Sequence, residues 1–277
     1  MKPARIDGAK LDKVKAAYVK AITAAWPKLA RDLATQITAA MGKMAKAQNL
    51  DENADPDQSA DIILASLDFS AWQILIDPTE EQLASVLEDA GKAVLAQLGV
   101  TATNALDQVH QDALDYAQAR AAELVGMKQI DGVWIENPSA KWAITESTRD
   151  MIRGTVSQAI NEGWSRDRLA TELETTYSFS EARAETIAQT ELNRANSTGA
   201  MNGYRRSGVV SKKVWLLSND YDAKDDDGLC EDNADQGPIG LDENFASGDD
   251  APPAHINCRC DVAAIVSDDS QEEGDDS

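Results

Sequence analysis

The stretch Pro252-Pro253-Ala254-His255-Ile256-Asn257-Cys258-Arg259-Cys260 runs directly into the short apolar segment Val262–Val266. Another apolar segment, Val214–Leu217, precedes it, and bounded apolar runs of this length are typical of strands. About 40 residues separate the two segments, too many for a passive connection in a compact unit. We therefore predict a short antiparallel sheet whose strands are joined by a long acidic loop that something must hold closed.

The cysteines of the chain are concentrated in this region. All three lie between Cys230 and Cys260, and His255 is one of only two histidines. Cys258 and Cys260 share a face of extended backbone because they are two residues apart. Together with Cys230 and His255 they form a Cys3His set, a composition typical of structural zinc. The spacing H-x2-C-x-C is not that of a standard zinc finger, so small buried thiols beside a hydrogen-bonded histidine are the alternative.

Helical patterns fill most of the chain before this sheet. Apolar residues recur at three- or four-residue steps, which indicates amphipathic helices, and we expect Pro27 to kink or break the first of them. The sequence Asp77-Pro78-Thr79-Glu80 supplies a cap oxygen, a first-turn proline and an acidic third position, as helix starts do. The predicted helices are residues 11–44, 62–76, 77–99, 103–125, 145–161, 165–174 and 180–206.

Residues 127–142 interrupt the helical pattern. The sequence Ile130-Asp131-Gly132-Val133-Trp134-Ile135 places an Asp-Gly turn between β-branched stretches, which predicts a small hairpin or an extended connector. The fold class predicted is mainly α with a small C-terminal α+β unit. Its parts are an N-terminal helical domain (1–126), a connector (127–144), a domain of helices leading into the sheet and its clipped loop (145–266), and a disordered acidic tail (267–277).

The net charge of −22 is distributed unevenly. Residues 1–50 carry +7, whereas residues 51–137 carry −14 and residues 215–277 carry −17. Most of this surface would repel DNA, because non-specific affinity comes mainly from Lys and Arg on phosphates. The lysine-rich face of the first helix is either a solvated surface or a docking surface for DNA or an acidic partner. The cations expected to face such a partner are Lys10, Lys13, Lys15, Lys20, Lys28 and Arg31.

Enzyme chemistry has few candidates in this sequence. Neither H-E-x-x-H nor H-x-E with C-x2-C occurs, no glycine-rich phosphate loop follows a strand, and His110 lies among core-like positions of a helix. We therefore expect no catalytic residues. No apolar run approaches the ~20 residues that span a bilayer, and no signal-peptide pattern follows the start. We expect folding in a cytoplasm and no membrane partner.

An ordered series of motifs in the C-terminal half carries a family likeness. The series begins with Gln189-Thr190-Glu191-Leu192-Asn193-Arg194-Ala195 and closes with the Pro252–Cys260 stretch. Between them lie Tyr204–Val209, Val214-Trp215-Leu216, the acidic loop to Cys230, Pro238-Ile239 and Leu241–Phe245. Over residues 145–266 this order resembles the phage minor head proteins, the Mu F-like head morphogenesis family.

The resemblance implies a low-copy capsid protein that is associated with the portal and acts in head morphogenesis and DNA packaging or ejection. The implied partners are the portal protein, major capsid or scaffold proteins, and phage DNA. The implied location is the virion, at the capsid interior or portal vertex, after assembly in the host cytoplasm. A metal-dependent hydrolase or toxin-like effector that carries this domain is the alternative.

Two positions depart from the family pattern. Many members have C-x2-C in the loop, but here Asn233 follows Cys230 at that spacing, which removes one candidate metal ligand. Gln189 stands where arginine is common, although Glu191 and Arg194 remain one turn apart on a helix face. The residues expected to form a structural network of ion pairs and hydrogen bonds are Glu191, Arg194, Asn257 and Arg259.

Overall fold

The computed structural model describes residues 6–47, 55–221, 224 and 228–266. It confirms a mainly α fold with a small α+β part. The helices are α1 (Gly8–Ala47), α2 (Pro56–Ala65), α3 (Ile76–Gln97), α4 (Thr103–Leu124), α5 (Ile144–Glu162), α6 (Arg166–Thr175), α7 (Glu181–Ser207) and α8 (Leu229–Asp235). The strands are β1 (Met127–Ile130), β2 (Val133–Glu136), β3 (Val210–Leu216), β4 (Ile239–Gly240) and β5 (Asp261–Val266). The predicted acidic tail at 267–277 lies outside the described residues.

Two small antiparallel sheets contain these strands. One is the β1–β2 hairpin, and the other has the strand order β4-β3-β5. The predicted pairing of the two C-terminal apolar segments is confirmed, with Trp215 of β3 opposite Val262 of β5. Strand β4 on the other edge of β3 was not predicted, because two residues are too few to show a strand periodicity.

The connector at residues 127–142 contains the predicted hairpin. Asp131 and Gly132 have φ values of 50° and 78°, the left-handed backbone that a type I′ turn requires at both central positions. Asparagine, aspartate and glycine tolerate this conformation best, so the Asp-Gly pair fixes the turn and sets Ile130 opposite Val133.

The prediction of one helix at residues 62–76 is wrong in its extent. Helix α2 begins earlier, at Pro56, where the Asp55 side chain caps it by accepting the Asp57 N–H at 3.0 Å. It ends at Ala65, and the Asp68 carboxylate then accepts both the N–H and the hydroxyl of Ser70, at 2.8 and 2.9 Å. Such local bonds compete with the helical ladder. A 3-10 helix at residues 70–75 therefore leads into α3.

Helix α1 runs through Pro27 without a break. Proline removes one backbone hydrogen bond and costs about 3 kcal/mol inside a helix. Buried side chains on both sides of it, including Tyr18, Ile22, Leu29 and Leu33, keep the same face of α1 in the core. Burial of each such side chain contributes roughly 1.5–3 kcal/mol, so packing outweighs the local penalty.

Two compact units make up the molecule, and each is assembled from segments that are distant in the sequence. The sheet unit is drawn from Met1–Lys15, Glu81–Ala117 and Thr186–Ser277 and contains β3, β4 and β5. The hairpin unit is drawn from Ala16–Glu80 and Gln118–Glu185 and contains β1 and β2. The sequence predicted domain boundaries at residues 126, 144 and 266, each of which divides one continuous stretch of chain from the next. These boundaries stay a prediction.

In the sheet unit, α3 and α7 approach each other at glycines. A Cβ added at Gly199 of α7 would lie only 2.3 Å from the carbonyl oxygen of Leu87 in α3, and one added at Gly203 would lie 2.7 Å from the Cβ of Val94. Backbones can pack this closely only where side chains are missing. The approach places Tyr204 in a buried cluster with Val94 and strand residues, and its hydroxyl donates to the Val262 carbonyl at 3.2 Å.

In the hairpin unit, the core is aromatic and encloses an arginine. The Trp72 ring centroid lies 5.9 Å from that of Trp26 and 5.5 Å from that of Phe69. Arg183 is 3% exposed, and its guanidinium donates to hydroxyl and carbonyl oxygens, among them the Ser178 carbonyl at 2.7 Å and the Thr148 hydroxyl at 2.9 Å. Burial lowers the pKa of Arg183 to about 10.

Within the described ranges, no single helix is both long and apolar enough to cross a membrane. Two helical segments separated by a bend, Pro56–Ala65 and Ser70–Gln97, reach the required length and composition only when taken together.

Candidate functional site

Three of the four predicted metal ligands come together in the sheet unit. One ligand atom from each of Cys230, His255 and Cys258 lies within 4.8 Å of the other two, and the Cys230 and Cys258 sulfurs are 3.7 Å apart. Cys260 is not one of these three, but it is buried in the same cluster. The arrangement could hold a metal ion, with two sulfurs and one imidazole as ligands.

The chain brings these residues together from two directions. Cys230 is in the first turn of α8. This helix begins directly after Gly228, whose φ of 83° belongs to the left-handed region. His255 and Cys258 precede β5, and Asn257 between them has a φ of 63°. Asparagine tolerates that conformation better than most residues, which accounts for its place in the motif.

The segment that contains Cys258 and Cys260 is fastened to helix α7. The side-chain amide of Asn193 donates to the Cys258 carbonyl at 3.0 Å and to the Cys260 carbonyl at 3.2 Å. The Asn257 N–H donates to the Thr190 hydroxyl at 2.8 Å. The two most distinctive motifs of the sequence are therefore in direct contact, and Thr190 and Asn193 fix the backbone that carries the thiols.

The thiols share hydrogen bonds that move their pKa values in opposite directions. Hydrogen bonds from the thiols of Cys230 and Cys258 lower the pKa of Cys260 to about 3, although burial opposes the shift. For Cys258, the hydrogen bond with Cys230 favours the thiolate, but the hydrogen bond with Cys260 and burial outweigh it and raise its pKa to about 11. The cluster thus favours the thiolate of Cys260 and the thiol of Cys258, so a metal ion that bound Cys258 would have to displace the proton of that thiol.

A backbone carbonyl orients the ring of His255. Its Nδ1 is 2.9 Å from the carbonyl oxygen of Ile256, and because a carbonyl oxygen only accepts, Nδ1 is the protonated nitrogen in this contact. Histidines that bind metals commonly hold their second nitrogen to a backbone carbonyl in this way. Thiolates and a neutral imidazole suit zinc, so the residues present fit that ion.

Asn233 performs a different task from the cysteine that it replaces in the family pattern. Its side chain is fully buried, its Nδ2 donates to the Ser247 hydroxyl at 3.0 Å, and its Oδ1 accepts the Ser247 N–H at 2.8 Å. Asn233 therefore ties α8 to the turn at residues 245–249. The loop gains a polar fastening at the position where it lacks a fourth thiol.

Charged residues fasten the same loop further along. The fully buried side chain of Lys213 on β3 forms an ion pair with Asp250. Arg205 of α7 reaches Asp250 at 2.9 Å and Asp242 at 3.1 Å. Sequence reasoning missed these contacts as well as those of Thr190 and Asn193, although Arg205, Thr190 and Asn193 all lie in the motifs singled out for the family likeness.

The four residues expected to form a structural network make three polar contacts with defined partners. Arg194 Nε is 3.7 Å from the carboxylate of Glu191, which is almost completely buried. Arg259 is instead 3.6 Å from Asp220 and half-exposed. Asn257 contributes through its backbone N–H, as described above.

Three of the cations predicted to face a partner contact other residues of the chain. Lys10 forms an ion pair with Asp89, the Lys15 ammonium donates to the Gln189 amide oxygen at 3.0 Å, and Arg31 lies 3.6 Å from Glu174. The remaining predicted partner-facing cations are exposed on the helix surface; they are Lys13, Lys20 and Lys28.

Residues 150–263 match the family described as Phage Mu protein F like protein. This segment is a Mu F-like domain. It contains α7, the fastened loop and the whole thiol and histidine cluster. The predicted likeness to the Mu F-like family is thereby confirmed for this segment. No curated protein and no solved structure matches the chain.

Proposed function

We propose that the protein is a minor head protein that acts at the portal vertex, in head assembly and in DNA packaging or ejection. The observation that carries this proposal is the Mu F-like domain at residues 150–263. The proposed partners are the portal protein and the major capsid or scaffold proteins, and the proposed location is inside the virion. Packaging energy would come from another protein.

We also propose that the chain acts without catalysis of its own. Its two histidines both have structural neighbours: His110 Nδ1 lies 3.1 Å from a carboxylate oxygen of Glu88, and His255 belongs to the thiol cluster. Distinctive residues of the Mu F-like domain form hydrogen bonds to backbone groups. An example is Asn193, whose side-chain amide donates to two backbone carbonyls. Metal-dependent turnover that disappears in His255→Ala would overturn this part of the proposal.

The assembly role is tested by complementation of a phage that lacks this gene. Wild-type protein should restore DNA-filled, infectious heads, and Asn193→Ala should restore them poorly because the segment at 257–260 loses its fastening. Asn196→Ala is the matched control, since Asn196 is another half-buried asparagine three residues along the same helix. Heads of normal structure, DNA content and infectivity without the protein would refute the role.

We propose that a structural zinc ion binds Cys230, His255 and Cys258, with Cys260 as the nearest candidate for a fourth ligand. Bound zinc would supply a cross-link between α8 and the segment before β5, with no chemical step. The support is the donor set and its geometry. Metal analysis of protein purified without chelator should find about one zinc ion per chain, and chelation should lower the Tm.

The matched variants for the zinc proposal are the two histidines. His255→Ala should lower the zinc content, whereas His110→Ala should leave it unchanged because His110 is paired with Glu88 instead. Protein that folds with full Tm and contains no stoichiometric zinc would show that the cluster is a buried thiol core. The proposed assembly role would survive that result.

The exposed lysines of α1 suggest where DNA or an acidic partner would bind. We propose that Lys13, Lys20 and Lys28 carry any DNA affinity, because the rest of the chain is strongly acidic. Replacing all three with glutamine should weaken binding to duplex DNA and flatten its dependence on salt. The same change at three other exposed lysines, Lys128, Lys141 and Lys212, should alter neither. Binding that is insensitive to salt, or equal weakening in both triple variants, would contradict the assignment.

A further inference from the structure

The β1–β2 hairpin is an open two-stranded sheet. In the described part of the chain no third strand joins it, and Ile130 lies opposite Val133 across the two-residue turn. Hydrogen-bonded and non-hydrogen-bonded residue pairs alternate along an antiparallel hairpin. In this register the backbone N–H and C=O groups of Trp134 and Glu136 therefore point away from β1. Isolated hairpins are marginal in water, and an open edge is a template for pairing with another chain.

The outer face of this hairpin is apolar and exposed. Ile130, Val133 and Ile135 share that face and are 50%, 62% and 38% exposed, and the exposed Lys128 lies opposite Ile135 at its end. On the opposite face Met127 is buried and Trp134 is half-buried. In a hairpin with only one covered face, polar residues would occupy the other face. The exposed pair Ile130 and Val133, with Ile135 beside Val133, therefore indicates a contact surface.

Charge around the β2 edge specifies what would cover it. At the base of the hairpin, a pocket of about 430 Å³ is lined by Trp134 and by the exposed carboxylates of Glu136 and Glu146. It is separate from a pocket of about 470 Å³ elsewhere in the chain. Arg149 also lines it, with its guanidinium stacked 4.5 Å from the Phe69 ring centroid. The carboxylates on the inner face therefore outnumber the cation, which favours a partner with positive charge.

We propose that the β2 edge docks an extended segment of a partner protein in which aliphatic residues alternate with Lys or Arg. Side chains of an added strand point alternately to the two faces. Its aliphatic residues would cover Val133 and Ile135, and its cations would reach Glu136 and Glu146 on the pocket side. The hairpin precedes residue 150, so this surface lies outside the Mu F-like domain and adds a contact that the family match does not supply.

The test uses the full chain and two labelled synthetic peptides, one with four Lys-Val repeats and one with four Glu-Val repeats. Fluorescence anisotropy should detect binding of the Lys-Val peptide and not of the Glu-Val peptide. The double variant Val133→Thr/Ile135→Thr keeps β-branched residues and the net charge, and should weaken binding about tenfold because the apolar contact is lost. Ile62→Thr is the matched control, since Ile62 is as exposed as Val133 but lies in α2.

A second comparison does not depend on the fold of a variant. A Lys-Val peptide with alternate amides N-methylated keeps its charge and side chains but cannot complete the edge hydrogen bonds, and it should bind at least tenfold more weakly. Three results would overturn the proposal: no binding of the Lys-Val peptide, equal binding by the double variant or the methylated peptide, or self-association of the chain that the double variant abolishes. The last result would identify a second copy as the occupant.

Discussion

Replacement of Gly199 by alanine should separate helices α3 and α7. The new Cβ would lie 2.3 Å from the Leu87 carbonyl oxygen and 2.9 Å from the Ala90 Cβ, whereas real Cβ atoms stay beyond 3.0 Å from such neighbours. The nearest obstacle is helix backbone, which cannot rotate away as a side chain does. Relief of the contact therefore requires α3 or α7 to move by about 1 Å, which loosens the close-packed cluster around Tyr204.

The expected magnitude comes from two opposing effects. Alanine is favoured over glycine inside a helix by about 1 kcal/mol. Overpacking of a close-packed interface costs about 1–3 kcal/mol, and the upper end applies here because backbone must move. The net loss of unfolding free energy is about 2 kcal/mol. For a chain of this size that corresponds to a fall in Tm of roughly 4–8 °C.

Thermal unfolding followed by circular dichroism measures the effect, with Gly154→Ala as the matched control. Gly154 is also inside a helix, α5, but a Cβ added there has nothing within 4 Å. That control should raise the stability by about 0.5–1 kcal/mol. A Gly199→Ala protein with a Tm as high as that of the control would refute the close approach of the two helices.

Three further outcomes are expected. Arg183→Met should lower the unfolding free energy by about 2–4 kcal/mol, because buried acceptors lose the guanidinium that donates to them. Urea denaturation measures this change, and a loss below about 0.5 kcal/mol would contradict the hydrogen bonds of Arg183. Thr190→Val removes the hydroxyl that accepts the Asn257 N–H, so it should lower the unfolding free energy by about 1–2 kcal/mol and speed hydrogen exchange at Asn257. Unchanged exchange at Asn257 would contradict this hydrogen bond. The hydrogen bond from Lys92 lowers the pKa of Glu88 below 4.5, so the stability that it provides is present above pH 4.5 and lost as pH falls through the lowered value. The Tm difference between wild type and Glu88→Gln should therefore shrink towards pH 3, and a constant difference would disprove the linkage.

Local signals in the sequence determine several elements of this fold. The Asp131-Gly132 pair predicted the hairpin because few residues accept the backbone of a type I′ turn. The predicted start of α6 is confirmed by Ser165, whose hydroxyl accepts the Arg168 N–H at 3.2 Å. The pairing of β3 with β5 was predicted from two short apolar runs at the two ends of the acidic loop. The signals for the hairpin and for the start of α6 each lie within a few residues.

Contacts between distant residues were much harder to predict. Asn193 and Cys260 are 67 positions apart, and an asparagine in a helix does not reveal which carbonyl its amide will meet. The same holds for the glycine contact of Gly199 with α3, which depends on how two helices cross. The four candidate metal ligands could be proposed from their residue types. Only the structure shows that Cys230, His255 and Cys258 converge while Cys260 lies beside them.

The loop that leaves β3 and returns at β5 illustrates how a fold can permit variation. Ordering a loop costs entropy, but each doubling of its length adds only about 0.6 kcal/mol once its ends are fixed. The ends here are fixed at Cys230 and at Cys258, and Asn233 holds an intermediate turn through Ser247. Residues between these anchors can therefore be exchanged or lengthened during divergence at little thermodynamic cost. Selection can change the outer surface of the loop while the thiol cluster beneath it stays the same.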